Sequence, residues 1–125
     1  MEDTKHTSIL LIGGNGALVY LIERYARQRG LLVYAERIPS ATMIAFLQPA
    51  VVWFMSFESL AATHPRATGL LNENTPMIVC SSIMDDIQMR EFGADYCALH
   101  PLTYAGFLDA LAAVGVLSSE GLQHS

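Results

Sequence analysis

Five short, nearly uninterrupted apolar runs, each followed by a stretch with helical spacing, constrain this chain more than any other feature. Residues 9–12 (Ile-Leu-Leu-Ile) form the first run and end at Gly13-Gly14. Residues 31–35 form the second, and 50–55 (Ala-Val-Val-Trp-Phe-Met) form the third and most hydrophobic. Residues 77–80 and 96–99 are the fourth and fifth. Runs of this length without polar alternation suit strands buried on both faces, which is the condition of a parallel sheet covered by crossover helices.

The intervening segments read as those helices. Leu18, Leu21, Ile22 and Tyr25 fall on one helical face. Asn15 is placed to cap that helix, Arg24, Arg27 and Arg29 crowd its last turn, and Gly30 ends it. Pro39 opens a second helix to about Leu47, where Pro49 stops it. A third, short helix is expected to run to near Leu71, and a fourth starts at Asp85-Asp86 and ends before Gly93. Thr103 caps the last helix, whose inward stripe is Tyr104, Phe107, Leu108, Leu111 and Val114. The alternation predicts an α/β flavodoxin-like three-layer sandwich with a five-stranded parallel sheet in the order 2-1-3-4-5. That domain spans residues 1–117, and residues 118–125 read as a polar tail or the start of a linker.

Composition narrows the function. Hydrophobic residues make up 52% of the 125 and charged residues 15%, so this is a folded domain rather than a disordered segment. A formal charge of −5, with Lys5 the only lysine, gives no footprint for direct nucleic-acid binding. Cys80 and Cys97 lie inside apolar runs and read as reduced core thiols. His6, His64 and His124 show no metal-ligand spacing with them, so neither metal nor cofactor is expected. The polar N-terminal residues precede an apolar run too short for a signal peptide or a membrane span, and a cytoplasmic location is expected.

Ligands in such sheets bind beyond the carboxyl ends of the strands. The residues there resemble the receiver domains of bacterial response regulators, over residues 8–115. Gly93-Ala94-Asp95-Tyr96-Cys97-Ala98-Leu99-His100-Pro101 is similar to the receiver pattern G-A-D-x-x-x-x-K-P, with His100 in the lysine position. Pro49-Ala50-Val51-Val52-Trp53-Phe54-Met55 resembles the strand that ends in the phosphoacceptor aspartate, which places Met55 there. Pro76-Met77-Ile78-Val79-Cys80-Ser81-Ser82 resembles the strand that ends in the switch Thr/Ser, placed at Ser81. Gly13-Gly14 takes the position of the acidic pair that binds Mg²⁺.

The resemblance implies a signalling domain, but the residues present do not support its chemistry. Aspartyl phosphorylation needs a carboxylate nucleophile and a hard cation held by oxygen ligands. Met55 offers a thioether, Gly13 and Gly14 offer no carboxylates, and Ser81 alone retains its group. No catalytic residue is therefore expected. Ser59 replaces a proline common in the family four residues after the aspartate. The interval from Ser81 to Gly93 is short, and Cys97 takes the position of the fifth-strand aromatic, with Tyr96 facing the other way.

Two further readings come from the residues themselves. The Gly13-Gly14-Asn15-Gly16 turn, with Glu36 about twenty residues on and Arg37 beside it, resembles the opening of a dinucleotide-binding Rossmann domain, although the third glycine would be Val19. The alternative to a tight structural turn is thus a small dinucleotide- or phosphate-binding module. His100 is a candidate pH-sensitive group or a structural histidine before a cis proline. The last helix carries Ala105, Ala110, Ala112 and Ala113 outside its inward stripe, with Asp109 the only charge before Glu120. Receiver domains commonly pair through their fourth helix, fifth strand and fifth helix. Tyr96, Ala105, Asp109, Ala112 and Ala113 are therefore the expected interaction face for a protein partner or a second copy.

Overall fold

The computed structural model describes residues 7–13, 16–65, 68–71, 74–82 and 86–117. The strands are β1 (Ser8–Ile12), β2 (Leu32–Glu36), β3 (Val51–Phe54), β4 (Met77–Ser81) and β5 (Tyr96–Leu99). The helices are α1 (Gly16–Arg27), α2 (Ala41–Leu47), α3 (Phe57–Thr63), α4 (Asp86–Phe92) and α5 (Tyr104–Ala113). All strand pairs are parallel, in the order β2-β1-β3-β4-β5, as the alternation of runs and helices predicts.

Period-two alternation along each strand divides the interior into two cores. Ile9, Leu11, Val51, Trp53, Ile78, Cys80 and Ala98 face the side covered by α1 and α5. Leu10, Ile12, Val52, Phe54, Met77, Val79 and Cys97 face the side of α2, α3 and α4. Both faces of β1, β3 and β4 are covered, which is why their sequences read as unbroken apolar runs. Cys80 and Cys97 fall on opposite sides of the sheet, so no disulfide joins them, and both thiols are free and buried.

The first core is the better built. Trp53 stacks on Phe107 at 5.7 Å, and Phe107 meets Tyr25 at 5.7 Å and Tyr104 at 6.5 Å. This aromatic chain joins α1, the central strand and α5. The buried Trp53 indole N–H donates to the Cys80 sulfur at 3.0 Å, which supplies the partner a buried indole needs. Ala110, expected on the outer face of α5, is fully buried in this core because α5 lies close against β5 and its small side chain permits the approach.

Two helix boundaries depart from the sequence reading. α2 starts after Pro39, with Ser40 as its cap: the Ser40 Oγ accepts from the Met43 N–H at 3.1 Å. α3 ends at Thr63, well short of Leu71, because Pro65 has no N–H to continue the ladder and disfavours helix in the residue before it. Thr103 caps α5 as expected, accepting from the Gly106 N–H at 3.0 Å. Asn15 and Asp85 lie outside the described residues. No helix among the described residues is long and apolar enough to cross a membrane.

Burial pushes the Cys80 thiol up to about 11, against a smaller opposing effect from the Trp53 indole. The folded chain therefore keeps a proton that the unfolded chain releases, and this contribution is complete below the unfolded value of 9.0. It should be lost as pH rises from about 9 to about 11. Urea midpoints measured across that range should fall more steeply for the parent than for Cys80→Ala, and parallel slopes would contradict the assignment.

Candidate functional site at the strand ends

The carboxyl ends of the strands are closed by a few backbone bonds. The Gly13 N–H donates to the Glu36 carbonyl at 3.0 Å, the Met55 N–H to Ile12 at 2.9 Å, and the His100 N–H to Ser81 at 2.9 Å. Each bond carries the parallel ladder just past the assigned strands. Gly13, Met55, Ser81 and His100 are thus seated where the sequence places them, one at the end of each of four neighbouring strands. Gly14 lies outside the described residues.

Gly13 and Met55 meet a third residue, Ser59. Gly13 has φ +100°, a conformation open to glycine and strained for other residues. A Cβ built there would lie 3.2 Å from both Cβ and Oγ of Ser59 and 3.4 Å from the Met55 Cβ. Ser59 is held by a reciprocal cap at the start of α3. Its N–H donates to the Ser56 Oγ at 3.1 Å, the Ser56 N–H donates to the Ser59 Oγ at 3.3 Å, and that hydroxyl donates to the Ser56 carbonyl at 2.9 Å. The S-x-x-S spacing at Ser56 was the available sequence signal, a variant of the capping box.

Met55 is 7% exposed and belongs to the core on the α1/α5 side. Ser81 is partly buried, whereas His100 is exposed and joined to Pro101 by a cis peptide bond. This donor set does not fit Mg²⁺: a glycine and a buried thioether supply no hard oxygen ligand at the first- and third-strand ends. No group of three metal-ligating side chains occurs among the described residues.

The glycine turn has a structural use here. The Gly13 N–H, which a phosphate-cradling loop would point at its ligand, is engaged by Glu36 in the sheet. Val19 is partly buried against the core where a dinucleotide fold carries its third glycine.

The best-kept part of the receiver-like pattern is also structural. Gly93 has φ +78°, and its N–H closes α4 on the Met89 carbonyl at 2.9 Å. Asp95 then links β5 to β4 twice: its N–H donates to the Met77 carbonyl, and its carboxylate accepts from the Met77 N–H, both at 2.8 Å.

On the expected interaction face, Ala105, Asp109 and Ala113 are exposed, Ala112 is partly buried, and Tyr96 is partly buried against the α1/α5-side core. Leu99, at 47% exposure, and Ile87, at 75%, are further exposed apolar side chains on β5 and α4.

No protein-family model matches the sequence, and no curated protein matches it. Solved structures do. The chemotaxis response regulator CheY4 of Vibrio cholerae is 14% identical, with a TM-score of 0.66 over 88% of this chain and 99% of that one. A response regulator from Thermotoga maritima is 16% identical, with a TM-score of 0.68 over 88% and 98%. A CheY-like protein, tadZ, from Pseudomonas aeruginosa is 9% identical, with a TM-score of 0.72 over 88% and 100%. At these identities the shared property is the receiver fold.

Packing at the strand ends sets the cost of restoring a carboxylate. Met55→Asp should lose about 1–3 kcal/mol and show a raised carboxyl pKa, as for poorly compensated polar burial. Met55→Leu should lose less than about 1.5 kcal/mol. Gly13→Ala should lose about 1–3 kcal/mol through backbone strain alone. Urea denaturation at neutral pH measures all three, and an Asp variant as stable as the parent would mean that these strand ends remain hydrated.

Proposed function

We propose that this chain is a receiver-like signalling domain that acts by contact with another protein or a second copy of itself, without aspartyl phosphorylation or other catalysis. One observation carries the reading: Gly13, Met55 and Ser59 pack together where phosphoryl chemistry would need acids, a metal and room. A carboxylate at residue 13 meets both a positive φ and the Ser59 side chain, so the chemistry is opposed by backbone geometry as well as by residue identity. The receiver fold supports the signalling part of the reading, and a cytoplasmic location goes with it.

The contact face in this proposal is α4, β5 and α5. α5 presents Ala105 and Ala113 with Asp109 as its exposed charge, and Leu99 and Ile87 add larger apolar side chains nearby. Small side chains at exposed helix positions permit close approach of another backbone, and an exposed leucine or isoleucine contributes when a partner removes it from water.

Two measurements test this. Incubation with acetyl phosphate or beryllofluoride and Mg²⁺ should add no phosphoryl mass and leave Trp53 fluorescence unchanged; a stoichiometric mass gain would overturn the proposal. Sedimentation at rising concentration should show self-association, weakened when Glu replaces both Ala112 and Ala113, with folding stability lowered by no more than about 1 kcal/mol. If no self-association is seen, copurification of a partner lost in the same variant sustains the reading. A strictly monomeric, partner-free chain refutes it.

A further inference from the structure

The sheet ends in two edge strands, β2 and β5. In β2 the Leu32 N–H donates to the Thr7 carbonyl at 3.0 Å, and the Glu36 carbonyl accepts from the Gly13 N–H at 3.0 Å. Leu32, Tyr34 and Glu36 therefore turn their backbone groups toward β1, in the parallel register Ser8↔Leu32 to Ile12↔Glu36. Val33 and Ala35, which alternate with them, turn theirs outward. Among the described residues no other strand pairs with β2, and no turn or loop bond reaches Val33 or Ala35.

Protein edges are usually blunted by a proline, a charge or a bulge. From Leu32 to Ala35 this edge has none of these: it reads Leu-Val-Tyr-Ala and pairs with β1 without interruption. β5, at the other edge, is bounded by Asp95 and Pro101. Val33 packs against the core on the α1/α5 side, so Leu32 and Tyr34 point to the α2 side, and both are exposed there. Ile38, just past the strand, and Phe46 on α2 are exposed as well.

We propose that this edge takes the β2 strand of a second copy, antiparallel, about a twofold axis that passes between the two Tyr34 residues. In that register Val33 faces the partner's Ala35, and Ala35 faces the partner's Val33. Each of these two pairs exchanges two N–H···O bonds, so every outward group of the strand is satisfied by the chain's own sequence. A register shifted one way would call on the Leu31 N–H, which already donates to the Ala26 carbonyl at 3.0 Å. One shifted the other way depends on Arg37, past the end of the strand. The Tyr34 register sets Glu36 opposite the partner's Leu32 and Arg37 opposite the partner's Leu31, so no like charges face each other. Each copy has a single β2 edge, so pairing closes at two and joins the two five-stranded sheets into one. This contact is separate from the α4-β5-α5 face and does not depend on it.

Cysteine cross-linking tests the register. Facing residues of a non-hydrogen-bonded antiparallel pair have Cα atoms about 4.5 Å apart, within disulfide reach, whereas Val33 and Ala35 would each lie more than about 7 Å from their own symmetry mates. Under mild oxidation Tyr34→Cys should form a covalent dimer about fivefold or more faster than Val33→Cys or Ala35→Cys. Cys80 and Cys97 are buried and do not compete. Sedimentation is measured in the chain carrying Ala112→Glu and Ala113→Glu, so that the α5 face does not contribute. A concentration-dependent dimer is expected there, weakened about fivefold or more by Tyr34→Glu, which sets two carboxylates face to face. Ala35→Pro removes only an outward N–H and should also weaken the dimer; Trp53 fluorescence reports whether it is folded, and Tyr34→Glu decides if it is not. A monomer at every concentration in that background, a dimer indifferent to Tyr34→Glu, or cross-linking as fast at Val33 or Ala35 as at Tyr34 would each overturn the proposal. Any of these leaves the α5 contact standing, and loss of the α5 contact leaves this one standing.

Discussion

The structure depends on covering both faces of β3. This strand lies at the centre of the sheet, and every residue from Val51 to Phe54 is fully buried. Trp53 on one side and Phe54 on the other hold the two helical layers apart and fill them. Trp53 is the more demanding: its ring needs the flat surface of Phe107, and its N–H needs the Cys80 sulfur. Those requirements fix where α5 lies and which way β4 faces. Truncation of an aromatic side chain in such a position typically costs about 3–5 kcal/mol, a large fraction of the stability of a domain this size.

Around that centre, the strand ends are finished in two different ways. Gly93 ends α4 and Asp95 links β4 to β5 through two hydrogen bonds, which ties the fourth and fifth strands together. At the first and third strand ends, Gly13, Met55 and Ser59 lie against one another. The requirements of a backbone pattern are conformational, whereas phosphoryl transfer needs charge at fixed points.

The layer of α2, α3 and α4 is less complete than that of α1 and α5. α2 contributes no fully buried residue, and Leu32, Tyr34, Ile38 and Phe46 all retain substantial exposure around β2 and α2. An edge strand with a thin cover is the part of this domain where sequence can change without disturbing the central core.

By itself the sequence determined the strands, the two-sided burial of β1, β3 and β4, the sheet order and the residues at the strand ends, because apolar runs report burial of both faces directly; β2, an equally apolar run, is instead an edge strand with Leu32 and Tyr34 exposed. It also determined that Met55 and Gly13 cannot supply carboxylates, since that follows from residue identity. Only the tertiary structure decided that Ala110 is core while Ala113 is surface, because helical spacing alone does not say how closely α5 approaches β5. The opposite facing of Cys80 and Cys97 likewise required the register of β4 against β5. The meeting of Ser59 with Gly13 and Met55 joins residues far apart along the chain whose local patterns carry no mark of one another. Such contacts exist only once the strands are paired and the short helices have been laid across them.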